Sequence, residues 1–176
     1  SGYSRRTIYV YFADKKDILL HAVENGLIFL AEKIRQATAG TLDEPRRIRL
    51  ILNAMSEYGK NYPLSLKYVN ESQSAILDPT EPTGTVKRIL ALGTEINDLL
   101  TSLLVEGQIA GTVRKDLIPE LTVCILWSNV TSFLSLISSK GEYLCRRFSM
   151  SEEQLTEYGF CRILSSIQGK EACFHE

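Results

Sequence analysis

Histidine, methionine and tryptophan are scarce in this chain, at two, two and one residues in 176. His21 and His175 stand far apart, and neither has a Ser, Cys or acid beside it in an arrangement that would make a nucleophile or a general base. No glycine-rich loop has the spacing that cradles phosphates. Cys124, Cys145, Cys161 and Cys173 include no C-x-x-C pair, which argues against a zinc site, and the chain is larger than the usual disulfide-stapled domain. The Asp and Glu residues are not paired as a metal or acid–base site would need. These absences argue against an enzyme: no catalytic residue, no metal and no cofactor are expected. No secretory signal and no apolar run of transmembrane length stand out, so the expected compartment is a reducing cytoplasm, with no membrane partner.

What is present is helix-forming and apolar. The chain is 44% hydrophobic, enough for one sizeable core and too apolar for disorder. Its formal charge of −1 conceals an uneven distribution. Residues 1–16 hold Arg5, Arg6, Lys15 and Lys16 against Asp14, a net of +3, which leaves −4 for the rest. A basic tip on a mildly acidic body suits a protein that meets nucleic acid with one end.

Helical periodicity dominates, and no strand is predicted. A helix from Lys15 to Thr38 carries Ile18, Leu19, Ala22, Val23, Leu27, Leu30 and Ile34 on one stripe. Further helices are predicted over Arg46–Tyr62 and Leu64–Leu77, followed by a loop at Asp78–Pro82. The next runs from Thr83 or Thr85 to Gly107, and a connector spans Gly111–Ile118. Pro119 suits the first turn of a helix expected to end near Ser139, with Gly141 as its stop. Its apolarity on most sides predicts burial on two faces. Ser149 or Ser151 then opens a last helix to about Ile167 with capping-box spacing to Glu152 or Gln154. Cys124 and Cys161 fall on apolar faces and are expected to be small buried thiols.

The first seventeen residues carry the densest signal. Ser4 is a good N-cap for a short helix, Arg5 to Phe12, in which Ile8 and Phe12 can share a buried face. Arg5, Arg6, Thr7, Tyr9, Val10 and Tyr11 cannot all join them, so most of this helix is offered outward. Asp14 caps the next helix, with Asp17 three residues on. Lys15 and Lys16 sit in its first turn, where the helix dipole disfavours cations and a bound phosphate would favour them.

Ser1-Gly2-Tyr3-Ser4, then Arg5-Arg6-Thr7-Ile8-Tyr9-Val10-Tyr11-Phe12, then Asp14-Lys15 and Asp17-Ile18-Leu19 resemble the recognition helix and following helix of TetR/AcrR-type transcriptional regulators. The Gly, Ser, Thr, both Tyr, Phe and Lys fall in the family's register. Val10 departs from it where members often carry an aromatic or polar residue, and Lys16 where they usually carry Glu. The resemblance implies an all-α, TetR-like fold in which residues 1–38 are a partial helix-turn-helix head with its connecting helix. Residues 39–176 would then form a ligand-binding and dimerisation domain. It also implies that the first helix and most of the second helix of the head precede Ser1.

The implied function is a ligand-responsive DNA-binding regulator, a repressor released from a palindromic operator by a small molecule. Double-stranded DNA would be contacted by Arg5, Arg6 and Thr7 at base edges in the major groove, with Tyr9 adding base or sugar contacts. Ser4, Tyr11 and Lys15 would position phosphates. The family's four-helix dimer interface implies a two-fold homodimer through the last two helices. Small or exposed residues there, Cys124, Ser128, Ser132, Ser135, Tyr158, Gly159 and Arg162, are its candidates.

Tyr58, Tyr62, Tyr68, Asn97 and Trp127, along with Asn129 and Phe133, are aromatic or polar groups on apolar helices and could line a cavity for an apolar or aromatic effector. Ordinary places in the core fit each of them individually as well. The competing function is an all-α interaction module or a helical enzyme whose basic tip merely resembles a DNA reader.

Overall fold

Asp14 opens the first helix by accepting a hydrogen bond on Oδ1 from the Asp17 amide, 2.8 Å away. The computed structural model describes Phe12 and residues 14–39, 44–71 and 84–169, and all six helices among them are α-helices. They are α1 (Lys15–Thr38), α2 (Glu44–Asn61), α3 (Pro63–Glu71), α4 (Gly84–Ala110), α5 (Pro119–Phe148) and α6 (Glu152–Ser165). No strand occurs among the described residues; Val113 and Gln168 form one isolated antiparallel bridge.

The core gathers around α1. Val23, Leu27, Leu30, Ala31, Ile34 and Ala37 recur three or four residues apart and are buried against Ile51, Ala54, Met55 and Tyr58 of α2, Leu66 of α3 and Ile96 and Leu103 of α4. Val130 and Leu134 of α5 and Phe160 of α6 close the same core. Ile18, Leu19 and Ala22, expected on the buried stripe, are only half-buried, whereas their neighbour Leu20 is buried.

The first three helices are locked by a polar contact inside this core. Ser65 Oγ donates to the Val23 carbonyl (3.2 Å), which leaves the Tyr58 hydroxyl to donate to Ser65 Oγ (2.8 Å). Such a close approach needs Gly26: a Cβ there would lie 2.6 Å from Ser65 Oγ. Burial pushes the Tyr58 phenol up to about 12, against the opposing hydrogen bond with Ser65. Ion pairs tie α1 to α4, Glu24 to Arg88 near one end and Arg35 to Glu95 (2.5 Å) near the other.

Four expectations are corrected here. Helix α5 does not stop at Gly141 but runs on to Phe148. A buried interior glycine costs a helix only about 1 kcal/mol, and the stop lies at Ser149, which adopts the left-handed conformation (φ 54°) and donates its amide to the Cys145 carbonyl. Against the expectation that no apolar run reaches transmembrane length, α5 holds within its 30 residues a window of mean hydropathy 1.6, long and apolar enough to cross a membrane by length and composition alone. Its inner face packs on α4, α2, α3 and α6. The second face expected to be buried is open in the single chain: Leu121 and Ile125 are 55% and 52% exposed. Cys124 lies on that face and Cys161 on the matching face of α6, so both thiols are exposed rather than buried.

Helix α6 starts as its sequence predicts. Ser151 and Gln154 form a reciprocal capping box. The helix is drawn against α5 at Gly159, where a Cβ would lie 2.0 Å from Phe133 Cζ, and Phe133 meets Phe160 edge-on at 6.0 Å.

Candidate functional site

Three regions bear on function: the start of α1, a cavity in the body, and the outer face of α5 and α6. At the first, Lys15 and Lys16 are both exposed in the opening turn of α1. Phe12 packs edge-on against His21 at 5.2 Å, and His21 Nδ1 lies 2.9 Å from the Asp17 carbonyl and 3.2 Å from its carboxylate. Ser4, Arg5, Arg6, Thr7, Tyr9 and Tyr11 lie outside the described residues. One turn further on, Glu24 is buried beneath a two-point contact from Arg88, which also reaches Thr85 (3.2 Å). The Arg88 hydrogen bonds hold the Glu24 carboxyl below the usual carboxylate range, although burial alone would raise it.

The cavity lies between α2, α4, α5 and the end of α6. Its walls are Ile48, Ile51, Leu52 and Met55 of α2, Leu100, Leu103 and Leu104 of α4, and Val123, Leu126, Trp127 and Val130 of α5, with Leu164 of α6. Val113 and Ile167 form its floor. About 80 Å³ is open to the centre of a water-sized sphere. With no polar side chain in the lining except the indole of Trp127, such a space favours an apolar guest over water. The floor is held by backbone pairing: the Arg114 amide donates to the Ile167 carbonyl (3.0 Å) and the Gly169 amide to the Thr112 carbonyl (2.8 Å). Gln108 closes the connector by donating to the carbonyls of Arg114 and Leu117, each at 2.9 Å.

Of the five residues proposed from sequence as a lining, Trp127 is on the cavity wall. Tyr58 and Tyr62 stack at 6.2 Å, with Phe29 beside Tyr62, on the α1 side of α2. Tyr68 is half-buried on α3; its hydroxyl has no hydrogen-bond partner among the described residues, and burial raises its pKa. Asn97 is exposed on α4, as is Asn129 on α5. The remaining wall residues are aliphatic or Met, and sequence reasoning did not single them out. A second, more open cavity shares Leu103 with the first and is bounded by Arg35, Gln36 and Thr38 of α1, Ala39 just past its end, Arg47 of α2, and Leu99, Ser102 and Glu106 of α4.

On the outer face, Cys124, Ser128, Ser132 and Ser135 of α5 and Tyr158 and Arg162 of α6 are all exposed, and the Arg162 guanidinium stacks over Tyr158 at 5.7 Å. Gly159 does not join them. It turns inward beneath Phe133, so its small size serves the α5–α6 contact within one chain.

This helix order and packing match solved structures. The MbdR regulator from Azoarcus sp. CIB aligns over 90% of this chain and 80% of its own, at a TM-score of 0.66 and 20% identity. A member of the TetR transcriptional regulator family from Streptomyces coelicolor A3 aligns over 92% and 75%, at 0.63 and 19%. The chain has the TetR-regulator fold. The fatty acid degradation regulator FadR from Bacillus halodurans shares this TetR-like architecture over 95% of this chain and 84% of its own, at 0.62 and 17%. No family model matches the sequence, and no curated protein matches it significantly.

Proposed function

We propose that this protein is a ligand-responsive, DNA-binding transcriptional regulator that acts in the cytoplasm as a two-fold homodimer, and that it is a repressor rather than an enzyme. The observation that supports it most is an almost wholly apolar cavity in the body of a TetR-like fold. The exposed Lys15 and Lys16 at the start of α1 add to it. Effector and DNA act on each other through α1, whose first turn lies at the DNA end while its core stripe packs on the α2 and α4 helices that wall the cavity. An effector that binds one arrangement of these helices better than the other lowers DNA affinity, and DNA lowers effector affinity by the same factor.

DNA contact belongs to Arg5, Arg6, Thr7 and Tyr9 at the bases and to Ser4, Tyr11 and Lys15 at phosphates. The dimer forms through the open face of α5 and α6, where Leu121, Ile125, Cys124, Ser128, Ser132, Ser135, Tyr158 and Arg162 lie uncovered. A two-fold axis there presents two heads to a palindromic operator.

The test is selection of bound duplexes from a random DNA library by the full-length protein, followed by anisotropy titrations at several salt concentrations. A selected palindrome bound at least 10³-fold tighter than random DNA is expected. Recovery of no sequence, with affinity independent of salt, would sink the regulator reading.

A further inference from the structure

The cavity floored by Val113 and Ile167 offers a guest almost no polar partner. Its lining holds no charged side chain and no hydroxyl, and the indole of Trp127 is its one polar group. The lining residues that keep some exposure, Ile48, Leu52, Leu100, Leu126, Trp127 and Leu164, are aliphatic or aromatic too, so the side toward solvent is no different. Main-chain groups at the floor are already committed. The Val113 amide donates to the Gly107 carbonyl (3.1 Å) and the Ile167 amide to the Leu164 carbonyl (3.0 Å), while the Ile167 carbonyl accepts from the Arg114 amide. A charged or strongly hydrogen-bonding group brought in here would lose water and gain little in return.

Size limits the guest as well. An apolar cavity of about 150 Å³ takes up one benzene and otherwise stays dry. At about 80 Å³, this one holds no more than a single ring before its walls must give. A void of this kind costs stability in proportion to its volume, and a guest that fills it recovers the lost contacts.

We propose that this cavity takes an uncharged, hydrocarbon-like molecule no larger than one substituted ring, and rejects carboxylate or ammonium derivatives of the same ring. As the class of the effector, this rests on the regulator reading above; as a binding site, it stands without it. The affinity comes from moving apolar surface out of water and into contact with the walls. It falls when the guest carries a charge that must be stripped of water, or a second ring for which there is no room.

Trp127 is the chain's sole tryptophan and lies on the cavity wall, so its emission reports occupancy. The experiment titrates the protein with toluene, benzoate, benzylammonium and naphthalene, following Trp127 emission and, as a second readout, the melting temperature. Toluene is expected to bind with a Kd of about 1 mM or tighter and to raise the melting temperature. Benzoate and benzylammonium should bind at least about tenfold more weakly, and naphthalene should gain nothing over toluene from its second ring.

Val113 tests the location, since its side chain lines the floor while the chain there is held by main-chain bonds. V113F extends a ring into the void and should abolish toluene binding, with the fold retained by circular dichroism. V113A opens more room and should bind naphthalene at least about tenfold tighter than the unaltered chain does. This second variant keeps the location testable should V113F fail to fold.

Benzoate or benzylammonium bound as tightly as toluene, or toluene binding untouched by V113F, would overturn the proposal and leave the regulator reading standing. Toluene that moves neither the emission nor the melting temperature at saturation in water would also overturn it. Toluene binding that follows these expectations but leaves affinity for the selected duplex unchanged would uphold the site and remove the switch. A protein that selects no duplex yet binds toluene as described would uphold the site and defeat the regulator reading alone.

Discussion

Gly159 lies beneath the ring of Phe133, so close that a Cβ would come within 2.0 Å of Cζ. The ring cannot simply swing aside, because Phe160, itself buried, holds it edge-on. Gly159→Ala is therefore expected to cost about 1–3 kcal/mol, the usual range for forced overpacking. Phe133→Leu in the same chain should recover much of the loss. Urea denaturation of both single variants and the double variant would measure the coupling; additive losses would show that the two residues do not constrain each other.

The outer face of α5 should behave differently. Ser128→Arg adds a charge where the single chain has nothing to displace, so monomer stability should change by no more than about 0.5 kcal/mol. At a two-fold interface the same change places two guanidiniums opposite each other, and sedimentation should show a shift to monomers at micromolar concentration. A wild-type protein that sediments as a monomer would remove the interface.

Glu24 makes stability depend on acid. Its folded pKa lies below the ordinary value of about 4.3 for glutamate, held there by Arg88. The stabilisation is thus fully present above the unfolded pKa and is lost as pH falls through the lower folded one. Glu24→Gln should destabilise at neutral pH by about 1–3 kcal/mol and flatten the acid limb of the stability curve. Denaturant melts between about pH 3 and pH 7 would reveal it; parallel wild-type and variant curves would refute the assignment.

The Ser65 contact should prove more sensitive than its size suggests. Ser65→Ala leaves the Tyr58 hydroxyl buried without an acceptor and the Val23 carbonyl without its extra donor, a loss of about 1–3 kcal/mol. Tyr58→Phe removes the orphaned group itself and should cost less, about 1 kcal/mol. Melting temperatures in the reverse order would contradict the hydrogen-bond direction assigned here.

At the head, Lys15→Ala should weaken binding to every duplex alike and reduce the salt slope by about one. Arg6→Ala should chiefly change the selected sequence. Anisotropy titrations across salt and across single-base variants separate the two, and an unchanged slope for Lys15→Ala would exclude its phosphate contact.

Much of the architecture could be read from the sequence because local chemistry and periodicity agreed. Asp14 with Asp17, and Ser151 with Gln154, mark helix starts by side chains that satisfy backbone amides. The end of α5 was harder to read. Gly141 resembles a stop, whereas the true stop is a left-handed Ser149, a residue type with little preference for that conformation. Of the body cavity, only Trp127 could be read. Ile48, Leu52, Leu100 and Val130 follow the same pattern whether they enclose a filled core or a void, since what defines the void is atoms that are missing. Arg47 was hidden in the run Arg46-Arg47-Ile48-Arg49, which looks like a solvated face. Its unpaired Nε appears only once the chain is folded.

The pairing beneath the body cavity separates two properties that usually trade against each other. Val113 and Ile167 shape its floor with their side chains, yet the strands of chain that carry them are held together through main-chain amides and carbonyls of residues 112, 114, 167 and 169. Those bonds are indifferent to what residues 113 and 167 carry. The floor can therefore be recontoured by exchanging one aliphatic side chain for another while its anchorage stays intact. Over generations, a lineage carrying this scaffold could reshape the cavity by drift at two positions, with the supporting architecture unaltered.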